Sequence, residues 1–179
     1  MIVYFVRHAS AGDRVTNLRK DEKRPLDADG IEQCGVMGRA LAAMNVQPEI
    51  IISSPLKRAT QTASLMGNEI GYEGKIQLEP AMRPEGTFAD FRRMLEKYAR
   101  QEAIMVVGHN PSITEFLARI ITKSGSEALI EFKKGAVARV ETSRHAATLN
   151  WFITAKIARS VQAAAAASAE KSHPKTSRK

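Results

Sequence analysis

Two arginines and two histidines stand in the sequence where phosphate chemistry would need them. Arg7 and His8 directly follow a first apolar run, Arg58 comes shortly after a second, and His109 comes just after a third. A guanidinium binds phosphoryl oxygens through paired, charge-assisted hydrogen bonds. A neutral imidazole can attack phosphorus, and a second imidazole can donate a hydrogen bond to a phosphoryl oxygen. These residue types predict a pocket for a phosphate dianion.

Three apolar runs must position these residues. They occupy residues 1–6, 49–53 and 103–107 and are rich in valine and isoleucine, which is typical of buried strands in a parallel sheet. Ligands of open α/β sheets bind at the carboxyl ends of the strands. If the three strands are parallel neighbours, both arginines and both histidines converge on one pocket, and the three motifs bring no acidic residue to it.

Two of the runs also lead into signals for the start of a helix. Ser54 and Asn110 are good N-cap residues, and Pro55 and Pro111 suit the first helical position. The first-turn N–H groups and the positive dipole end of a helix attract phosphate. The sequence therefore predicts two helix N-termini beside the same pocket.

The remaining segments predict a single α/β domain with a mostly parallel sheet. Residues 11–29 are polar and turn-rich, and Asp27 marks the entry to a helix. The apolar spacing predicts helices at residues 31–44, 54–66, 88–100 and 111–121, a brief strand at 76–78, and a closing hairpin at 136–141 and 148–154. We assign residues 1–155 to this domain. We expect residues 156–179, alanine-rich and then basic, to form a frayed helix followed by disorder.

Composition limits the class of protein. A chain of 179 residues, 44% hydrophobic and 26% charged, is typical of one soluble globular domain, and no apolar run is long enough to span a membrane. The net charge is +8, but residues 156–179 hold six basic residues against one acidic, whereas residues 1–155 hold 21 against 18. The single cysteine, Cys34, excludes an internal disulfide and fits a reducing cytoplasm, which is the location we expect. The sequence shows neither zinc-ligand spacing nor a Gly-rich phosphate loop, so we expect no metal and no cofactor.

Taken together and in this order, the three motifs resemble those of the histidine phosphatase superfamily. The motifs are Val6-Arg7-His8, the run Ser-Ser-Pro-Leu-Lys-Arg-Ala-Thr-Gln-Thr at residues 53–62, and Val107-Gly108-His109-Asn110-Pro111. The resemblance covers residues 1–153 and implies a phosphoglycerate mutase-like fold, a three-layer α/β/α sandwich. The short chain, Arg7-His8-Ala9 and the Arg24-Pro25-Leu26 segment are similar to the SixA-type phosphohistidine phosphatases of that superfamily.

The resemblance implies a role for each residue of the pocket. His8 corresponds to the nucleophile, which becomes a phosphohistidine during turnover, and Arg7, Arg58 and His109 correspond to the rest of the phosphate site. Ala9 replaces the glycine that most often follows the nucleophile in the superfamily, and SixA-type members accept alanine there. The implied reaction is metal-independent dephosphorylation.

The general acid is less clearly indicated. In many members of the superfamily, a glutamate after the middle strand protonates the leaving group, and this chain has both Glu79 and Glu85 in that region. We favour Glu85, because Pro84 and Gly86 mark a loop that could overhang the pocket; a solvated loop glutamate is the alternative for either residue. A phosphohistidine can leave as imidazole with less help than an alkoxide needs. A weak acid, or none, therefore favours a phosphoramidate substrate.

Three functions follow as hypotheses. The first is a phosphatase acting on a phosphohistidine-bearing protein, such as a phosphotransfer domain. The second is a phosphatase or mutase of the same superfamily that acts on a small phosphorylated molecule. The third, a nucleic-acid-binding module, depends on the basic tail, because the chain has only three tyrosines and one tryptophan for base stacking. Removing residues 159–179 should abolish such binding and leave a phosphatase active.

Other polar residues are expected to have structural roles. Arg24 is expected to brace its loop, Asn110 to cap a helix, and Cys34 to pack in or near the core. His145, in the hairpin turn, and His173, in the tail, are expected to face solvent.

Overall fold

The computed structural model describes residues 1–122, 128–143 and 146–172. Its strands are β1 (Ile2–Arg7), β2 (Ile50–Ser53), β3 (Gln77–Leu78), β4 (Ala103–Gly108), β5 (Val137–Thr142) and β6 (Ala147–Ile153). Its helices are α1 (Leu18–Glu22), α2 (Ala28–Ala43), α3 (Lys57–Glu69), α4 (Phe88–Lys97), α5 (Ser112–Ile121) and α6 (Ala155–Ser172), and a 3-10 helix spans Pro80–Met82. The predicted strands and the closing hairpin are confirmed, whereas α1 lies in a segment predicted as loop. His145 and His173 lie outside the described residues.

The six strands form one sheet in the order β3-β2-β4-β1-β5-β6. The first four strands in this order are mutually parallel. Strand β5 runs antiparallel to β1, and β6 runs antiparallel to β5. This arrangement confirms the predicted α/β fold with a mostly parallel sheet. Arg7 pairs with Gly108, and Ser53 pairs with Val107. The three strands that precede the motifs therefore end side by side at one edge of the sheet.

The sheet separates two hydrophobic cores. Along β1, Tyr4 and Val6 belong to the core shared with α2 and α3, whereas Val3 and Phe5 belong to the core shared with α4 and α5. This alternation follows from the two-residue period of a strand. Helices thus cover both faces of the sheet, which confirms the three-layer α/β/α sandwich.

Helix α2 begins where the sequence indicates, and α3 does not. The side chain of Asp27 accepts a hydrogen bond from the backbone N–H of Gly30 at 2.7 Å, as an N-cap should. The prediction that Ser54 caps the next helix is wrong: α3 begins at Lys57 with Leu56 in the N-cap position. The Ser54 hydroxyl instead lies 2.9 Å from a ring nitrogen of His109, so a tertiary contact takes the place of the local one.

The prediction that Asn110 caps α5 is also wrong. Pro111 occupies the N-cap position, and no side chain caps the helix. The amide of Asn110 donates to the carbonyl of Phe132 at 3.2 Å and accepts from the hydroxyl of Thr114 at 2.8 Å. Asn110 therefore links the start of α5 to the segment before β5.

Helix α6 packs along α2. Arg159 forms an ion pair with Glu32 at 3.0 Å, and the side-chain amide of Gln162 donates to the carbonyl of Val36 at 2.8 Å. A truncation that starts at residue 159 would remove these contacts together with the tail. Within the described residues, no helix combines the length and the apolar character needed to cross a membrane.

A truncation that spares α6 tests whether the basic tail matters for stability. We expect removal of residues 173–179 to leave the urea midpoint of unfolding within experimental error of the full chain, because the contacts of α6 with α2 all precede this segment. A lower midpoint would show that the tail contributes to the fold.

Candidate active site

The structure brings together the five residues that the sequence singled out. Arg7, His8, Arg58, His109 and Glu85 all line one cavity of about 560 Å³ at the carboxyl ends of the parallel strands. Because β2, β4 and β1 are adjacent and parallel, residues that are far apart in the chain meet there. This is the ligand position expected for an open α/β sheet.

The ring of His8 is held in one tautomer. Its Nδ1 lies 2.7 Å from the carbonyl oxygen of Ala9. A carbonyl only accepts hydrogen bonds, so Nδ1 carries the proton and Nε2 keeps its lone pair. Burial, together with the charges of Arg58 and Arg7 and opposed only in part by this hydrogen bond, lowers the pKa of His8 to about 3. At neutral pH, His8 is an uncharged imidazole with a nucleophilic Nε2.

Backbone contacts fix the segment that carries His8. The N–H of His8 donates to the carbonyl of Gly108 at 2.9 Å, which joins it to the segment of His109. The N–H of Ala9 donates to the hydroxyl of Thr62 at 3.1 Å, and that hydroxyl donates to the carbonyl of Arg58 at 2.7 Å. The His8 segment is therefore tied to both other motifs.

Both arginines are anchored through one nitrogen. Nη1 of Arg7 donates to the carbonyl of Phe132 at 2.7 Å. Nη1 of Arg58 donates to the carbonyl of Asp21 at 2.9 Å and lies 3.2 Å from the Asp21 carboxylate. The Nε of each arginine is buried and has no hydrogen-bond partner within the described residues. Buried donors are normally satisfied, so these two nitrogens indicate a site for an anion.

His109 lies beside His8, with the ring centroids 4.8 Å apart. Its Nε2 is 2.9 Å from the hydroxyl of Ser54, and its buried Nδ1 has no partner in the described part of the chain. The Ser54 oxygen accepts from the N–H of Leu56 at 3.4 Å, so its own proton is available to Nε2 of His109. Where Ser54 donates in this contact, the ring proton of His109 stands on Nδ1. Burial, followed by the charge of His8, lowers the pKa of His109 to about 2, which keeps the ring neutral.

Asp21, which the sequence analysis did not single out, anchors two cations. Its carboxylate contacts Arg58 at 3.2 Å and Nε of Arg24 at 3.0 Å. Burial raises the pKa of Asp21, but hydrogen bonds from Val15 and Arg24 and the charge of Arg58 outweigh it, so the pKa is lowered overall. Arg24 also donates to the carbonyls of Ala11 and Gly12, so it braces the loop as predicted.

The two candidate acids lie in different places. Glu85 is at the rim of the cavity, where its carboxylate contacts Nε of Arg83 at 2.5 Å. This hydrogen bond lowers the pKa of Glu85, so the carboxyl is ionised at neutral pH. Glu79 lines a neighbouring cavity, which Glu85 also lines, and it accepts hydrogen bonds from Lys97 and Tyr98. Glu85 is therefore the candidate general acid at this cavity. Its carboxylate would have to be protonated before it could donate a proton.

Positive charge dominates the cavity. Six cationic side chains line it (Arg7, Arg14, Arg24, Arg58, Arg83 and Lys134), against the three carboxylates of Asp21, Glu22 and Glu85. Arg14, Arg83 and Lys134 lie outside the sequence motifs that predict the site. Arg83 stands two positions before Glu85, which could have drawn attention to it; Arg14 and Lys134 carry no comparable signal. Within residues 1–122, 128–143 and 146–172, no group of three or more His, Cys, Asp or Glu side chains could hold a metal ion.

Comparison with known proteins agrees with this geometry. Residues 3–85 match the model of the histidine phosphatase superfamily (branch 1). An uncharacterized protein of Picosynechococcus sp. is 32% identical over 123 residues, which cover 67% of this chain and 73% of that protein. The phosphohistidine phosphatase SixA of Escherichia coli is 25% identical over 154 residues, covering 84% and 92% of the two chains. The chain belongs to the histidine phosphatase superfamily, and it is therefore a phosphatase by class.

Solved structures share the fold across most of the chain. The protein histidine phosphatase SixA in complex with tungstate superposes with a TM-score of 0.75 at 24% identity, covering 87% of this chain and 98% of that one. The alpha-ribazole phosphatase from Shigella flexneri superposes with a TM-score of 0.66 at 16% identity, covering 87% and 97%. Phosphatases that are named for different substrates thus share this fold.

The buried histidines predict a specific acid sensitivity. The unfolded chain takes up a proton on His109 near its ordinary pKa of 6.5, whereas the folded chain does so only near 2. The free energy of unfolding should therefore fall as the pH drops below 6.5, by about 1.4 kcal/mol per pH unit for this group. His109→Gln should lower the slope of the unfolding free energy against pH by about 1.4 kcal/mol per pH unit, or one proton, between pH 5.5 and 4.5. Urea unfolding at each pH measures this slope. Equal slopes in the two proteins would contradict the burial of a neutral His109.

The anchoring of Arg58 can be tested by oxyanion binding. We expect Asp21→Asn to weaken tungstate binding about tenfold, or about 1.4 kcal/mol, because the amide no longer holds the guanidinium by charge. Glu69→Gln is the matched control, since Glu69 pairs with Arg39 on the surface at 3.7 Å. Calorimetry on the folded proteins measures both affinities. Equal affinity of Asp21→Asn and the control would show that Asp21 does not position the anion site.

Proposed function

We propose that this protein is a phosphohistidine phosphatase that works through a covalent phospho-His8 intermediate. The observation that carries the proposal is the state of His8: it is buried and neutral, and Nδ1 is committed to a carbonyl, so the lone pair lies on Nε2. A nucleophile in this state needs no separate base. The similarity to SixA supports the choice of substrate.

The reaction takes two displacements at phosphorus. In the first, Nε2 of His8 forms a bond to phosphorus while the bond from phosphorus to the substrate nitrogen breaks. A substrate ring that is protonated on its other nitrogen leaves as neutral imidazole. In the second, water attacks phospho-His8, and phosphate, a proton and neutral His8 are released.

The remaining pocket residues stabilise the transferring group. Arg7 and Arg58 offer their unpartnered Nε groups to phosphoryl oxygens, and His109 offers its Nδ1–H. These groups belong to a largely buried site, where electrostatic stabilisation of a transition state is strongest. No metal ion takes part in the proposed mechanism. We place the enzyme in the cytoplasm, where the buried Cys34 thiol would stay reduced.

A phosphatase of small phosphate esters is the second candidate. The likeness in fold to an alpha-ribazole phosphatase supports it. An ester oxygen leaves as an alkoxide and needs a proton, for which Glu85 is the candidate in this chain. The hydrogen bond from Arg83 keeps Glu85 ionised at neutral pH, which argues for the phosphohistidine substrate.

The substrate preference is tested with two substrates side by side, without added metal. We expect fast hydrolysis of a chemically phosphorylated phosphotransfer domain and slow hydrolysis of an aryl phosphate ester. His8→Ala, checked for folding by circular dichroism, should hydrolyse neither. The reverse preference would favour the ester phosphatase, and activity in His8→Ala would contradict the covalent mechanism.

The role of Glu85 follows from its charge state. We expect Glu85→Gln to change phosphohistidine hydrolysis by less than about threefold, because an imidazole leaving group needs little acid assistance. Glu73→Gln, at an exposed position before β3, serves as the control for a lost carboxylate. A drop of about a hundredfold or more in kcat for Glu85→Gln would instead identify Glu85 as the general acid.

A further inference from the structure

A second cavity of about 540 Å³ adjoins the active site. We call it the basic cavity; it is lined by Arg7, Gln33, Lys133, Lys134, Thr154, Ala155, Lys156 and Arg159. Arg7 and Lys134 line both cavities. The basic cavity is therefore a direct neighbour of the active site, and a ligand with its phosphoryl group in the active site could extend toward it past these two side chains.

The lining of the basic cavity carries five cationic side chains and no carboxylate. Two of the cations are neutralised from outside the lining, since Lys133 pairs with Glu131 and Arg159 pairs with Glu32. Lys134 and Lys156 have no ion-pair partner in the described ranges of the chain. The active-site cavity, by contrast, balances its cations with three acids. With these pairs counted, the basic cavity keeps three positive charges, on Arg7, Lys134 and Lys156, which equals the excess of the active-site cavity.

Lys133 and Lys134 stand on a turn that is bonded to the catalytic strand, and Lys156 stands on α6. The N–H of Gly135, next to Lys134, donates to the carbonyl of Arg7 at 3.1 Å. Lys156 lies in the first turn of α6, whose N-terminal dipole end adds to the positive potential. Lys133, Lys134 and Lys156 are exposed, so a large partner can reach them.

We propose that the basic cavity binds carboxylates that flank the phosphohistidine on an acidic protein substrate. The inference rests on the proposed function and specifies its substrate class. The phosphoryl group alone would be held by the active-site cavity, so the neighbouring excess of positive charge serves a second anionic group on the same ligand. Exposed lysines at the turn before β5 and at the start of α6 suit the surface of another protein, and charge complementarity makes that surface acidic.

Two synthetic peptides with a central phosphohistidine test the proposal. They differ only in the flanking residues, which are glutamate in one peptide and glutamine at the same positions in the other. We expect the wild-type protein to hydrolyse the glutamate peptide with a kcat/KM about tenfold higher, through a lower KM, and the ratio to shrink as salt screens the charges. Turnover of the glutamine peptide reports on the catalytic groups in every variant.

A double variant and a matched control connect the preference to the basic cavity. In K133Q/K156Q, the ratio of kcat/KM between the two peptides should fall toward one, and the loss of Lys156 should account for most of the change, because Lys133 is already paired with Glu131. Lys75→Gln, an exposed lysine before β3 at the opposite edge of the sheet, should keep the wild-type ratio. Equal rates on both peptides in the wild type, or an unchanged ratio in K133Q/K156Q, would overturn the inference alone. Hydrolysis of neither peptide would overturn the proposed function, and the inference with it.

Discussion

The hydrogen bond between Nδ1 of His8 and the carbonyl of Ala9 determines what the site can do. At 2.7 Å, it assigns the ring proton to Nδ1 and leaves the lone pair on Nε2. Burial lowers the pKa of His8 to about 3, which keeps the ring neutral near pH 7. A histidine at the surface would be partly protonated near pH 6.5 and would lose its nucleophile with each proton gained. The parallel sheet serves this arrangement, because it brings Arg58, after β2, and His109, after β4, to the edge where β1 presents Arg7 and His8.

Collecting cations around a buried imidazole conflicts with stability. Arg58 is buried and Arg7 is partly buried, and burial lowers the pKa of each guanidinium. The fold compensates by anchoring each through Nη1, Arg7 on the carbonyl of Phe132 and Arg58 on Asp21. The anchors leave Nε of both arginines without a partner, which is a cost to the empty protein that a bound phosphoryl group would remove. Unsatisfied hydrogen-bond donors of this kind are expected at a functional site, where a ligand can satisfy them.

Sequence alone predicts the parts of this protein that depend on local pattern. The apolar runs indicate the strands, and the motifs around Arg7, Arg58 and His109 indicate a shared pocket, because parallel strands end at one edge. The caps assigned to Ser54 and Asn110 fail because tertiary partners, His109 and Phe132, compete for their side chains. Asp21 escapes notice because its contact with Arg58 joins residues 37 positions apart, and nothing in either segment encodes that distance. Lys134 also lies at the cavity because of a tertiary contact, the hydrogen bond from the N–H of Gly135 to the carbonyl of Arg7.

The central claim is that His8 carries the phosphoryl group, and trapping the intermediate tests it most directly. The wild-type protein is mixed with a radiolabelled phosphohistidine protein, quenched in alkali within one turnover, and digested for mass spectrometry. The account predicts one labelled phosphoryl group per site, on His8, stable in alkali and lost in acid. The rate constants for the formation and the hydrolysis of phospho-His8 should each be at least as large as kcat. Turnover without label on His8, or label on another residue, would contradict the account.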